Sequence, residues 1–214
     1  MQEHRLVTAR RARYFTIGGT ATPLPEAWIV LHGLGQLASV FITYFESVAT
    51  AERLIVAPEG LNRYYVAPGP SGTRDAKVGA TWMTREDREN EIADYVDFLD
   101  AVCAESAAAA GRVTVLGFSQ GVATACRWMV RGKSRIDRLV LWAGQIPPDV
   151  DAAALHALRD GVVLVAGDSD EYADWMAEGN HEDRLQRAGV RHDVVRFEGG
   201  HRIDRETLQR VAAF

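Results

Sequence analysis

Three side chains with complementary acid–base chemistry stand late in the chain. They are Ser119 in Gly117-Phe118-Ser119-Gln120-Gly121, an aspartate pair in Gly167-Asp168-Ser169-Asp170, and His201 in Gly199-Gly200-His201. A serine hydroxyl attacks a carbonyl only when a base takes its proton, and an imidazole can do this near neutral pH. A carboxylate then holds the ring in the right tautomer and stabilises its cationic form. Glycines on both sides of Ser119 remove clashes at a sharp turn, so the hydroxyl can stand clear of the backbone. Asp168 and Asp170 follow the same apolar run, and their chemistry does not separate them. The charge that develops on the attacked oxygen calls for two backbone N–H donors. The N–H of Gln120, next to the serine, and that of Leu34, in His32-Gly33-Leu34-Gly35, are the expected pair.

Each of these residues closes an apolar run. The runs lie at 28–33, 53–60, 112–119, 138–144, 161–168 and 191–200. Most are near-continuous in Val, Ile and Leu, which predicts strands of a parallel sheet covered on both faces. Helical spacing between them is clearest in Ile92, Val96, Leu99 and Cys103, and helices are also expected over 39–51, 120–131, 172–188 and 204–214. This alternation predicts an α/β fold with a doubly wound, mostly parallel sheet, whose site lies beyond the carboxyl ends of the strands. Leu6–Ala9 and Tyr14–Ile17 also alternate, predicting an antiparallel N-terminal edge, either as a hairpin or as two edge strands. Arg10, Arg11 and Arg13 would then form a solvated strand face. Residues 1–214 read as a single domain with no large lid. The one long connection, 60–88, is expected to wall the pocket, with Tyr64, Tyr65, Trp82 and Met83 touching substrate beside Ile146 and Trp175 from other strand ends.

The formal net charge of −5 and the scattered arginines argue against nucleic acid as a partner. Cys103 and Cys126 fall inside helical patterns and read as buried thiols. No metal or organic cofactor is called for, and His4, His156, His181 and His192, without ligand spacing, read as surface residues. The N-terminus lacks the apolar core of a secretory leader, and no transmembrane segment is expected, so a cytoplasmic location follows. A small-molecule ester is the expected partner, and a homodimer is left open.

One rival uses the same residues differently. Gly33, Gly35 and Ala38 fit a G-x-G-x-x-A phosphate turn and Glu59 ends the next strand, the pattern of an NAD-binding oxidoreductase. That pattern leaves Ser119, the aspartates and His201 without a role, whereas ester hydrolysis uses Gly33-Leu34-Gly35 as its oxyanion loop. A non-catalytic ligand receptor on the same fold is a third class, and an intact Ser, Asp and His set argues against it.

The motifs "LHGLG", "GFSQGVATA" and "GGH", with "LWAGQIP", resemble the phospholipase/carboxylesterase family of small serine α/β-hydrolases, which includes acyl-protein thioesterases. The resemblance runs from about Trp28 to the C-terminus. It implies an α/β-hydrolase fold with Ser119 as nucleophile, His201 as base and, through G-x-x-D from Gly167, Asp170 as acid. Leu34 and Gln120 match the oxyanion donors. Between Gly60 and Glu89 the chain departs from thioesterases and looks more like a bacterial esterase branch. The implied activity is a serine carboxylesterase acting on short to medium acyl esters through an acyl-enzyme, with acyl-protein thioesterase or lysophospholipase as the alternative.

Overall fold

The computed structural model describes residues 1–69, 72–173 and 178–214. Strands β1 (Tyr14–Gly18), β2 (Glu26–Leu31), β3 (Arg53–Pro58), β6 (Arg112–Phe118), β7 (Arg138–Trp142), β8 (Val162–Gly167) and β9 (His192–Phe197) form one sheet in the order β1-β3-β2-β6-β7-β8-β9. All neighbours are parallel except β1, which runs antiparallel to β3 with Thr16 opposite Val56. Strands β4 (Asn62–Gly69) and β5 (Gly72–Thr81) make a separate antiparallel hairpin. The helices are α1 (Ala38–Phe41), α2 (Arg88–Ser106), α3 (Gln120–Arg131), α4 (His181–Arg187) and α5 (Arg205–Val211). This is an α/β-hydrolase fold without a large lid, and no described helix is long and apolar enough to cross a membrane.

The strand period of two divides each apolar run between two cores. In β2, Ala27, Ile29 and Leu31 pack with Ile92, Leu99 and Val122 on the face covered by α2 and α3. Trp28 and Val30 face the other way, onto Phe41, Phe45, Leu208 and Val211. Cys103 and Cys126 are buried free thiols, and desolvation pushes Cys126 up to about 12.

Several expectations need correction. Residues 6–9 form no strand, so the N-terminal edge is β1 alone and the arginines at 10–13 do not share a strand face. The helix expected over 39–51 is the four-residue α1 followed by a 3-10 turn at Ile42–Phe45. Asn180, at φ 44°, sits in the left-handed region and separates α4 from the residues before it. The long connection is mainly the β4–β5 hairpin, because Asn62–Ala67 is rich in strand-favouring side chains.

One buried carboxylate joins the hairpin to the sheet. Glu59, 1% exposed, follows β3. It accepts from Arg13 Nε at 2.8 Å and Nη2 at 3.0 Å, from Arg63 Nε at 2.6 Å and from the Ala38 N–H at 3.2 Å. Burial alone would raise its pKa; the two guanidinium groups outweigh that and hold it below the ordinary range. Glu59→Gln should therefore cost about 2 kcal/mol, the scale of lost charge-assisted hydrogen bonds. The measurement is the urea midpoint at constant slope, and an unchanged midpoint would count against this role.

Candidate active site

Strand β6 turns into α3 through Ser119, whose φ of 54° and ψ of −117° are rare for a residue with a Cβ and cost on the order of 1–3 kcal/mol. The surrounding packing enforces the turn. A Cβ on Gly117 would lie 2.3 Å from the Gly121 carbonyl oxygen, and one on Gly121 would lie 2.2 Å from that of Leu31. The Ser119 N–H donates to the Trp142 carbonyl at 2.9 Å, which ties the elbow to the end of β7.

The loop after β2 lies directly against this elbow. A Cβ on Gly33 would be 3.2 Å from Ser119 Cβ. The Gly33 N–H donates to Gln36 Oε1 at 2.8 Å and that of Gly35 to the Ala80 carbonyl at 2.9 Å. Leu34 lies between them, and neither its N–H nor that of Gln120 has a hydrogen-bond partner among the described residues. The Gln120 side chain is occupied differently. Its amide nitrogen donates to Thr81 Oγ1 and to the Met83 carbonyl, both at 2.9 Å, and its oxygen accepts the Trp82 N–H at 3.2 Å.

His32 organises the loop as a neutral ring. It is fully buried, and desolvation lowers its pKa. The Gly60 N–H can only donate, so Nε2 accepts it at 2.9 Å, which leaves Nδ1 to donate to the Gly33 carbonyl at 2.8 Å.

At the other side of the elbow, His201 Nδ1 lies 2.9 Å from Asp170 Oδ2 and 3.2 Å from Oδ1. Asp170 is 5% exposed, and its Oδ1 also accepts the Tyr172 N–H at 2.8 Å. Asp168 has other partners: its Oδ1 accepts the Gly199 N–H and the Ser169 hydroxyl, each at 3.0 Å. The imidazole lies 4.9 Å from the ring of Phe118, the residue before Ser119, and 4.8 Å from that of Tyr172. No hydrogen bond joins the Ser119 hydroxyl to His201 in this structure.

The residues expected to touch an acyl group separate. Trp82 and Ile146, each 1% exposed, belong to the core; Trp82 stacks on His32 with centroids 4.9 Å apart and donates Nε1 to its carbonyl at 2.8 Å. Met83 is partly buried, with its sulfur 3.4 Å from Arg127. Tyr65 is exposed, but the neighbouring positions Tyr64 and Val66 are the ones that approach Gly35, 3.3 and 3.6 Å from where its Cβ would be. Strand alternation directs Tyr65 to the opposite face. Trp175 lies outside the described residues. Tyr64, expected as a contact, does lie beside Gly35, whereas Phe118, Tyr172 and Val66 are site neighbours that the sequence did not single out, although Tyr172 follows Asp170 closely enough to have been found. His181 is partly buried rather than a surface residue: neither ring nitrogen has a hydrogen-bond partner among the described residues, and burial lowers its pKa to about 4.

The dinucleotide alternative loses both of its requirements. Its glycine motif leads into a helix of four residues, and the Glu59 carboxylate is held by two arginines.

A parallel sheet with this strand order, an elbow between β6 and α3, and acid and histidine loops after β8 and β9 defines an α/β-hydrolase. The chain belongs to the phospholipase/carboxylesterase family, whose model matches residues 13–214. No curated protein sequence matches it. Among solved structures it is similar to acyl-protein thioesterase 2 of Zea mays, at 16% identity and TM-score 0.69 over 95% of this chain and 97% of that one. Esterase PE8 aligns at 20% identity and TM-score 0.62 over 95% and 97% of the two chains. The Bacillus cereus carboxylesterase aligns at 15% identity and TM-score 0.62 over 94% and 92%. Likeness at these identities establishes the fold.

The hairpin has little clearance over the loop that carries Leu34. A Cβ on Gly79 would fall 2.4 Å from the Gly35 carbonyl oxygen. Gly79→Ala should push the two backbones apart and, if Leu34 serves the reaction, lower kcat about tenfold or more while the far-ultraviolet circular dichroism stays native. Unchanged kcat in a folded variant would remove the hairpin from the positioning of the site.

Proposed function

We propose that the chain is a serine carboxylesterase. Ser119 attacks the acyl carbonyl, and His201 takes the hydroxyl proton and returns it to the leaving alcohol. The acyl-enzyme forms as the ester C–O bond breaks. Water, deprotonated by His201, then adds to the acyl carbon, releases the acid and restores the serine. Asp170 holds the imidazole with Nδ1 protonated, so that Nε2 is the base. The N–H groups of Leu34 and Gln120 receive the oxyanion, a contribution of roughly 3 to 4 kcal/mol for one such donor in other enzymes. The observation that carries this reading is the His201–Asp170 pair set beside the strained Phe118–Ser119 turn.

The long connection before α2 is a two-stranded hairpin rather than a helical lid, which supports a substrate of short to medium acyl length. The fold shared with a plant acyl-protein thioesterase makes thioesters the second substrate class to assay.

A fluorophosphonate probe should label the full chain at one residue, mapped by mass spectrometry to Ser119, and labelling should vanish in Ser119→Ala. Adduct at another residue, or equal labelling of both proteins, would end the proposal. Asp170→Asn should lower kcat by on the order of 10³ to 10⁴, the scale for losing the correct tautomer. Asp168→Asn should cost much less, since its partner is the Gly199 backbone; the reverse ranking would exchange their roles.

A further inference from the structure

Parallel strands begin at a common edge, and here that edge collects arginines. Arg112 opens β6, Arg138 opens β7, Arg159 precedes β8 and Arg191 precedes β9. Together with Asp160 and Asp193 they line a cleft of about 390 Å³, at the end of the sheet opposite Ser119. The chain as a whole is acidic, with net charge −5, so this concentration is local.

Some of the charge is already matched. Arg112 lies 2.8 Å from Asp160 and 3.8 Å from Glu26, and it donates to the Phe214 carbonyl oxygen at 3.4 Å. Arg159 reaches Asp160 at 3.4 Å and Asp137 at 3.6 Å. Asp160 is therefore shared by two arginines. Arg191 and Arg138 have no carboxylate within ion-pair distance among the described residues.

Arg138 is the unusual member. It is 2% exposed, lies over the Trp28 ring at 5.6 Å, and donates one N–H to the Val211 carbonyl at 3.3 Å. Its Nε has no hydrogen-bond partner among the described residues. Glu26 is near but is committed to Arg53 at 2.5 Å. Burial, followed by repulsion from Arg112, lowers its pKa to about 10. An enclosed cation without a paired anion is costly unless a counter-charge arrives.

We propose that this cleft binds a small multivalent anion through a phosphate group, with Arg138 and Arg191 as the unpaired anchors and Arg112 and Arg159 flanking them. Guanidinium groups suit this ligand because each presents parallel N–H donors to two phosphate oxygens. The volume lies within the range of small-ligand sites. The proposal is independent of the hydrolase chemistry.

The test titrates inorganic pyrophosphate into the full chain by calorimetry, with sodium chloride balancing ionic strength and inorganic phosphate as a second arm. One saturable site and a raised Tm are expected, with phosphate weaker than pyrophosphate. Arg159→Ala/Arg191→Ala, which alters exposed side chains, should raise Kd at least tenfold, whereas Arg10→Ala outside the cleft should not. Arg138→Met should abolish binding if it folds, and the exposed pair decides the matter if it does not. Absence of saturable heat, equal Kd in the double variant, or the same heat from sodium chloride at matched ionic strength would overturn the proposal.

Discussion

The backbone of Gly121 meets the end of β2 with no room for a side chain, and both halves of the proposed oxyanion site depend on that contact. The chain leaving β2 carries Leu34, and the helix starting after Ser119 carries Gln120. Pressing α3 onto the Leu31 carbonyl therefore fixes two main-chain groups relative to one another. It also brings the N-terminus of α3, with its unsatisfied N–H groups and partial positive charge, to the point where an alkoxide or oxyanion would form. The unfavourable φ of Ser119 is the local cost of this arrangement, offset by the apolar packing of β6 and α3 on either side.

A two-stranded hairpin is marginal by itself, and β4–β5 is held by polar groups at its base. His32 bridges the Gly60 N–H and the Gly33 carbonyl, Trp82 donates to the His32 carbonyl, and the Gln120 amide binds Thr81, Trp82 and Met83. Glu59 adds Arg63 from β4 and Arg13 from the sheet edge. In a low-dielectric setting such a network is strong only while every member is satisfied. The neutrality of His32 is part of that condition, because a protonated ring could not accept from Gly60. The wall of the site is thereby coupled to the elbow through the very residue whose backbone is the expected oxyanion donor.

What the sequence conveyed follows from how local each determinant is. The six parallel strands were legible because a strand buried on both faces is apolar throughout, as in Trp28–Leu31 and Val162–Val165. The ends of those strands supplied Ser119, Asp170 and His201. Tyr64, Tyr65 and Val66 were read as loop because alternation in an exposed hairpin carries no inside and outside, and nothing local tells which side meets Gly35. Trp82 and Ile146 were assigned to a pocket because their apolar character does not distinguish a lining from a core. The structural role of Glu59 was illegible for a related reason: its partners are Arg13 and Arg63, and the distant one becomes a neighbour only through β1 pairing with β3.

The two aspartates after β8 show how one loop can serve two mechanical needs. A Cβ on Gly167 would fall 2.2 Å from the Gly199 carbonyl oxygen, so the loops after β8 and β9 touch through backbone and leave little freedom for either. Asp168 binds the Gly199 N–H and thereby anchors the loop on which the histidine is carried. Asp170 binds the ring itself, and its second contact, to the Tyr172 N–H, keeps the carboxylate from turning away. The position of the loop and the orientation of the ring are thus held by different carboxylates. Each acts on a hydrogen-bond donor the other does not use, which is why two acids two residues apart are not interchangeable.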